Sequence, residues 1–126
     1  MSHIAITKVK LTNPNEQLLK KAAEHVAREL NGELVHEVAD YYGKKTKFSL
    51  GIKTHQIPKG VGISINKEGD VEFEGDFWKI EEQINNLKNL LVQTYTSLAI
   101  DISLKNLGYN VIQQKIGNKI YIFAEV

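Results

Sequence analysis

The stretch VGISINKEGDVEFEGDFWKI, residues 61–80, decides most of the fold, because it holds a β-hairpin and the start of a long helical segment. Apolar residues alternate in its first part, so two strands joined by a turn are predicted. A three-residue loop over 67–69 aligns Ile63 with Phe73. An even-length loop would set Ile63 opposite Glu72 and mix apolar with charged side chains on both faces. The three-residue loop is therefore predicted.

The same stretch ends in a corner between strand and helix, with the sequence Gly75-Asp76-Phe77-Trp78. Alternation puts Asp76 and the chain's only tryptophan, Trp78, on the face opposite the core. We therefore expect Trp78 to stand off the main core unless the chain bends at Gly75. Asp76 is placed to cap the following helix. Alternatively, Asp76 and Trp78 form a ligand or partner site.

The N-terminal part of the chain predicts a strand followed by a helix. Residues 3–11 are β-branched and alternate in polarity. A helix over 14–31 follows, with Asn13 as its cap and Pro14 at its first position. Leucine, alanine and valine recur on one side of this helix, and Gly32 ends it.

Residues 33–56 predict a hairpin around Gly43-Lys44, and residues 57–60 predict a turn. An even-length hairpin loop gives a core face of Val35, Ala39, Tyr41, Phe48, Leu50 and Ile52. Glu37 also falls on that face. Because a buried carboxylate must be paired or neutral, we expect Glu37 on a strand end that curls into water.

The C-terminal third predicts a long helix and a final hairpin. Apolar residues repeat every three or four positions from Lys79 to Leu107, and a break near residues 94–96 would shorten this unusually long helix. Strands over 109–116 and 119–126 follow, turned by Gly117-Asn118. Both faces of this hairpin are apolar, so it is either central in the sheet or covered by a partner.

The resulting order is β-α-β-β-β-β-α-β-β. This order predicts an α+β fold, with an antiparallel sheet packed by two helices in a broadly ferredoxin-like plan. The length of 126 residues is typical of a single domain, here residues 1–126.

Composition excludes several classes of function. The net charge is +1, and only Arg28 is an arginine among 16 basic residues, which argues against a specific nucleic-acid reader. The chain has no cysteine, no apolar run of membrane-spanning length and no signal-peptide pattern, so a cytoplasmic protein is expected.

No motif predicts a cofactor, a catalytic residue or a metal site. The histidines lack ligand spacing. His36 and His55 could meet across the first hairpin beside Asp40, but solvated strand residues explain them equally well. The segment Gly60-Val61-Gly62 lacks the residues of a phosphate-binding loop.

Short motifs along the chain resemble a known family, the uncharacterised proteins encoded as a hypothetical chloroplast reading frame in cyanobacteria, plastids and some archaea. The motifs are Met1-Ser2-His3, Asp76-x-Trp78, Gln93-x-Tyr95 and Gly108-Tyr109-x-Val111. The resemblance covers nearly the whole chain and implies a shared fold. Genes of this family often lie beside one for a ring-forming ATPase, which implies an accessory role and an ATPase as a partner. This chain departs from the family in its lysine-rich surface and in lacking an arginine near Tyr95.

We interpret the protein as a non-catalytic accessory or binding module, with a homo-oligomeric contact on the last hairpin. The interface residues are Ile112, Ile116, Tyr121 and Phe123. The first alternative is a small enzyme or ligand-binding domain at the sheet–helix corner, using His3, Asp76, Trp78 and Tyr95. The second alternative is a weak single-stranded nucleic-acid binder that uses the tyrosines and lysines of residues 41–47.

Overall fold

A computed structural model describes residues 4–11, 14–117 and 119–126. These residues form seven β-strands and two α-helices, in the order β1 (Ile4–Lys10), α1 (Glu16–Glu29), β2 (Glu33–Ala39), β3 (Lys45–Thr54), β4 (Ile57–Ile65), β5 (Asp70–Asp76), α2 (Glu81–Asn106), β6 (Asn110–Ile116) and β7 (Lys119–Glu125). The predicted order of strands and helices is confirmed.

Within the described residues, the first five strands form one antiparallel sheet in the order β1-β5-β4-β3-β2, and β6 and β7 form a separate two-stranded sheet. The two helices pack against each other and on one face of the larger sheet. The α+β class is therefore confirmed, with a ferredoxin-like plan in this broad sense.

The core lies between the two helices and the sheet. Fully buried side chains come from both helices and from the central strands, and include Ala22, Val26, Ile84, Leu87, Leu91, Ile52, Val61, Ile63, Val71 and Phe73. Burying each of the larger ones contributes about 1.5–3 kcal/mol, so this cluster is the main source of stability.

Helix α1 begins two residues later than predicted. Asn15 is its N-cap: the Asn15 side chain accepts the Leu18 N–H at 2.9 Å, and the Asn15 carbonyl accepts the Leu19 N–H at 2.9 Å. The predicted cap, Asn13, lies outside the described residues. Pro14 precedes the cap rather than opening the helix, and Asn15 supplies the same capping chemistry two residues later.

The end of α1 combines an asparagine in the left-handed conformation with a close backbone approach. Asn31 has φ +55°. The Gly32 N–H donates to the Ala27 carbonyl at 2.7 Å and the Asn31 N–H donates to the Arg28 carbonyl at 3.1 Å, which is the Schellman pattern. A Cβ at Gly32 would lie 2.4 Å from the Lys53 carbonyl oxygen of β3. Glycine is therefore required here by contact with the sheet.

The β4–β5 hairpin has the predicted register. Ile63 pairs with Phe73 and Ile65 pairs with Val71. The loop is the three residues 67–69, with Gly69 at φ +83°. Asn66 closes the loop because its main-chain N–H donates to the Asp70 carbonyl at 2.9 Å. The alternation of apolar side chains was sufficient to fix this hairpin.

The β2–β3 hairpin has a different register from the predicted one. Ala39 pairs with Lys45, so the loop covers 40–44 and its length is odd, and the prediction of an even-length loop is wrong. The Asp40 carboxylate accepts the main-chain N–H groups of Tyr42 and Lys44, each at 2.9 Å. These two hydrogen bonds shape the loop, and an aspartate in this role favours a turn whatever the strand pattern.

A bulge in β3 moves part of the predicted core face elsewhere. Val35 pairs with Gly51 and Glu37 with Lys47, so residues 48–50 of β3 oppose a single residue of β2. Leu50 and Ile52 are in the core as predicted, but Val35, Ala39, Tyr41 and Phe48 are not. The Phe48 ring lies against Gly62 instead, where a Cβ would meet it at 2.5 Å.

Two further expectations for this region have different outcomes. Glu37 is exposed and its carboxylate lies 3.7 Å from the Lys45 ammonium, as expected for a strand end that reaches water. Residues 57–60, predicted as a turn, form the first part of β4, and that prediction is wrong. The turn lies at residues 55–56 instead. Thr54 pairs with Ile57 across it, and the Thr54 hydroxyl accepts the Ile57 N–H at 3.1 Å.

Helix α2 is continuous over its 26 residues, so the predicted break near residues 94–96 is wrong. At about 1.5 Å per residue it is about 39 Å long and extends beyond the larger sheet. The β6–β7 hairpin packs on its second half, where the Gln113 side-chain amide donates to the Ser97 carbonyl at 3.4 Å. Lys115 also pairs with Glu29 of α1. The hairpin thus replaces the support that the larger sheet does not provide.

Candidate functional site

The corner that the sequence singles out lies at the end of β5. Asp76 is the last residue of this strand, and its side chain is only 1% exposed. The Lys59 ammonium of β4 lies 2.9 Å from Asp76 Oδ2, and the Lys59 side chain is 35% exposed. Burying a carboxylate without a charged or hydrogen-bonding partner would cost several kcal/mol. Lys59 therefore stabilises the corner by pairing with the buried Asp76 carboxylate.

Asp76 also shapes the turn that follows it. Asp76 Oδ1 accepts the Trp78 main-chain N–H at 3.2 Å. Lys79 has φ +61°, which L side chains rarely adopt. Helix α2 begins only at Glu81, and its N-cap position, Ile80, makes no side-chain capping bond. The predicted helix-capping role of Asp76 is therefore wrong, because its carboxylate caps the turn instead.

The turn separates two neighbouring aromatic side chains. Phe77 enters the core, whereas Trp78 is 48% exposed. The Lys79 ammonium lies 4.6 Å from the centroid of the Trp78 ring, a cation–π distance. Trp78 thus stands off the main core, as its position in the alternation predicts.

The loop between β2 and β3 reaches the same corner. The Lys59 ammonium lies 5.3 Å from the centroid of the Tyr41 ring, and the Tyr41 and Tyr42 rings meet edge to face at 5.3 Å. We define the corner cluster as Tyr41, Tyr42, Lys59, Asp76, Trp78 and Lys79. The structure thereby brings together the tyrosine-containing loop and the Asp76–Trp78 turn, which the sequence treats as separate candidates.

Lys59 and Lys79 are the members of the corner cluster that the sequence analysis did not single out, and Lys59 is the one that contacts both Asp76 and Tyr41. Its neighbours Pro58 and Gly60 made the segment resemble a turn. One signal could have found it: extending the Ile63–Phe73 register by three residues places Gly60 opposite Asp76. The adjacent Lys59 then lies within reach of the carboxylate, provided that β4 starts before Gly60.

The other two predicted members of the corner site have different outcomes. His3 lies outside the described residues. Tyr95 is buried in the core, and its hydroxyl accepts the Asn15 N–H at 2.9 Å. Tyr95 lies about 21 Å along α2 from Glu81, at about 1.5 Å per residue. Its hydrogen bond therefore joins α2 to the start of α1 rather than serving the corner.

The described part of the chain has a small groove next to the corner cluster. A groove of about 120 Å³ beside it is lined by residues that include Ile4, Val38, Phe48 and Glu74. Small-molecule sites usually measure about 300–1,000 Å³, so this groove is small for one. A larger cleft of about 460 Å³ lies at the other end of the sheet, between the start of α1 and residues 63–65 of β4. None of the six residues of the corner cluster lines either of these two clefts.

The last hairpin presents a second surface. Its inner face, with Ile120 and Ile122 half-buried, packs on α2. Its outer face, which we call the hairpin face, consists of Ile112, Ile116, Tyr121 and Phe123. These four side chains are between 43% and 63% exposed. The division into two apolar rows is the one that strand alternation predicts, and the turn residue Asn118 lies outside the described residues.

Among the described residues, no three His, Asp or Glu side chains lie close enough together to bind a metal ion, and this includes the histidines of the first hairpin. The His36 ring nitrogen Nδ1 lies 3.1 Å from the Ser49 carbonyl oxygen.

Among the described helices, none combines the length and the apolar character needed to cross a membrane.

Comparisons with protein-family models, with curated proteins and with solved structures found no match. The geometry of the two surfaces is therefore the basis for the functional proposals.

Proposed function

We propose that this protein is a non-catalytic accessory module that acts through a protein–protein contact on the hairpin face, and that the first partner is a second copy of the chain. The observation that carries the proposal is the exposure of four large apolar side chains on one side of a small sheet. Gln114 and Lys119 share this face by the strand register, so the apolar surface is broken by two polar side chains. Monomeric proteins nevertheless seldom leave several large apolar side chains together in water. The cytoplasm is the proposed location.

The size of the surface sets the strength of the contact. Completing the burial of a half-exposed side chain contributes about 1 kcal/mol, so four side chains on each of two copies contribute about 8 kcal/mol. Association costs about 4–15 kcal/mol in lost freedom. The hairpin face alone therefore gives a marginal dimer. Leu107 and Val126, which flank the open end of the hairpin where Asn110 pairs with Glu125, are also highly exposed.

The alternative of a small enzyme at the corner has less support. Asp76 is occupied by Lys59 and by the Trp78 main chain. Tyr95 lies in the core, away from Asp76. The proposed membership of the chloroplast reading frame family, and with it a ring-forming ATPase as partner, rests on the short motifs alone. Size-exclusion chromatography of the two purified proteins, together and apart, would test that partnership.

The decisive test of the hairpin contact is the substitution Phe123→Asp. Because a buried charge cannot be paired across a symmetric apolar interface, we expect this variant to sediment as a monomer at concentrations where the wild type forms a dimer. Tyr42→Asp is the matched control, since it places the same charge at an exposed aromatic position far from the hairpin. A wild type that is monomeric at high concentration contradicts homo-oligomerisation. A Phe123→Asp variant that loses its circular dichroism places Phe123 in the core instead.

A further inference from the structure

Strand β7 has a free edge in the described part of the chain. There, four strands lie at a sheet edge: β1 and β2 in the larger sheet, and β6 and β7 in the smaller one. Lys8 and Lys10 interrupt β1 and an irregular register interrupts β2, and both features discourage pairing with another chain. Lys115 of β6 pairs with Glu29 of α1, so β6 lies on the α1 side of the hairpin. β7 is therefore the outer strand, and its edge has neither protective feature.

The composition and the hydrogen bonding of β7 suit pairing with a further strand. Its centre, residues 120–124, is uncharged and mostly β-branched or aromatic, and it pairs with β6 without a bulge. Ile116 pairs with Lys119 across a two-residue loop, and the pair that flanks such a loop is hydrogen bonded. Hydrogen bonding to β6 then alternates along β7. The main-chain N–H and C=O groups that point to the free edge are therefore those of Ile120, Ile122 and Ala124.

The sequence of β7 is complementary to itself in the antiparallel orientation. A two-fold axis at Ile122 places Lys119 opposite Glu125 of a second copy. The same axis places Tyr121 opposite Phe123 of the second copy, in a pair without hydrogen bonds, where side chains lie closest. Symmetry repeats both pairs. An axis at Tyr121 or at Phe123 would instead set a charged side chain opposite an aromatic ring, so the axis at Ile122 is favoured.

We propose that the free edge of β7 binds β7 of a second copy, which joins the two small sheets into one antiparallel sheet of four strands. About six main-chain hydrogen bonds from the outward-pointing residues hold the strands together. An isolated two-stranded sheet is marginal and gains stability from added strands. The centres of the two hairpins lie about 9.6 Å apart, at about 4.8 Å per strand. Helices pack side by side at about this distance, so the two α2 helices fit beneath the sheet.

The edge contact is additional to the contact proposed for the hairpin face and does not depend on it. Face-to-face packing of two hairpins places the sheets about 10 Å apart, whereas paired strands lie about 4.8 Å apart. Phe123 belongs to both surfaces. Lys119 and Glu125 report on the edge, since the residues opposite them in β6 are the uncharged Ile116 and Asn110. Each of the two charges therefore finds its oppositely charged cross-strand neighbour in the second copy.

Disulfide cross-linking tests the register, because the chain has no cysteine of its own. Two single variants, Lys119→Cys and an affinity-tagged Glu125→Cys, are mixed, oxidised and separated by non-reducing electrophoresis. In the proposed register the Cα atoms of these two positions lie about 4.5 Å apart, whereas each position lies about 20 Å from its own equivalent. A disulfide needs a Cα separation below about 7 Å. We therefore expect the mixed disulfide to form at least about 10-fold faster than either homodisulfide.

A matched pair of variants on the neighbouring strand controls for the edge. Asn110→Cys and Ile116→Cys have the same spacing and lie next to the tested positions in β6. Between copies they lie about 14 Å apart, which is three strand spacings, and they should not cross-link. Preferential cross-linking of this pair, or homodisulfides as fast as the mixed disulfide, would overturn pairing through β7.

Ile112→Asp separates the edge contact from the face contact, because Ile112 lies on the hairpin face but in β6. The mixed disulfide should form equally fast in this background. In the same background, Lys119→Glu or Glu125→Lys alone sets like charges opposite each other twice and should weaken association about 10-fold in sedimentation experiments. The double variant restores opposite charges and should associate as strongly as the background. Failure of this recovery would overturn the edge contact.

The outcomes distinguish the edge contact from the hairpin-face contact. A wild type that dimerises without forming the mixed disulfide, and that becomes monomeric in Ile112→Asp, would overturn the edge contact and support the face contact. A mixed disulfide that persists in Ile112→Asp supports the edge contact whether or not the face is covered. A wild type that is monomeric at high concentration contradicts both.

Discussion

The Lys59–Asp76 pair allows a specific prediction about the free energy of unfolding, because Asp76 is almost fully buried and Lys59 is not. Removing the partner of a buried charge typically costs about 3–5 kcal/mol. Lys59 is 35% exposed, so water can replace part of its interaction and the expected loss is smaller. We expect Lys59→Met to lower the free energy of unfolding by about 2 kcal/mol.

The second half of the experiment separates charge from packing. In the Lys59→Met background, Asp76→Asn removes the buried negative charge while an amide oxygen can still accept the Trp78 N–H. The double variant should therefore recover about half of the stability lost in Lys59→Met, or about 1 kcal/mol.

Urea unfolding followed by circular dichroism measures both effects, and a change of about 2 kcal/mol corresponds to a midpoint shift of about 1 M for an m-value of about 2 kcal/mol/M. The reasoning would be refuted by a Lys59→Met variant as stable as the wild type. It would also fail if the double variant lost the sum of the two single losses, since the residues would then be independent.

Two further predictions concern contacts inside the fold. Gly32→Ala should destabilise the protein by about 2 kcal/mol, since its Cβ would lie 2.4 Å from the Lys53 carbonyl oxygen. Gly43→Ala is its control in thermal unfolding and should cost about 1 kcal/mol for its left-handed backbone alone, with open space around it. Tyr95→Phe should cost about 1 kcal/mol in urea unfolding because the Asn15 N–H loses its acceptor. Tyr42→Phe, at a highly exposed position, should stay within about 0.5 kcal/mol of the wild type, and equal losses at the two tyrosines would contradict the assigned hydrogen bond.

The sequence predicts the fold correctly where the local pattern of polar and apolar residues agrees with the turn residues and no other contact opposes it. In the β4–β5 hairpin, alternation and a glycine in the loop agree, and the register follows. In the β2–β3 hairpin, the Asp40 carboxylate sets an odd loop and a bulge at residues 48–50 changes the facing side chains. Both depend on contacts that a pattern of polarity does not encode.

Long-range contacts explain the remaining differences. The length of α2 suggested a break, because the support that β6 and β7 give to its second half is invisible in local sequence. The corner was half predicted: Asp76 and Trp78 stand out by their position after a strand. Lys59 could have been found by extending the β4–β5 register, but Tyr41 reaches the corner only after β2 has taken its place in the sheet, and a single sequence gives no pairing information for that contact.

The corner cluster and the last hairpin lie at different positions along α2, and this separation decides how substitutions at them should be interpreted. The corner cluster adjoins the start of the helix, whereas the last hairpin packs near Ser97, about 24 Å further along at about 1.5 Å per residue. Substitutions so far apart, with no shared partner, normally have additive effects. Loss of dimerisation in Phe123→Asp therefore bears on the last hairpin alone, and Tyr42→Asp, at the corner, is an independent control for it. A dimer through the hairpin face would leave the corner cluster of each copy exposed, so changes at the corner should not alter the oligomeric state.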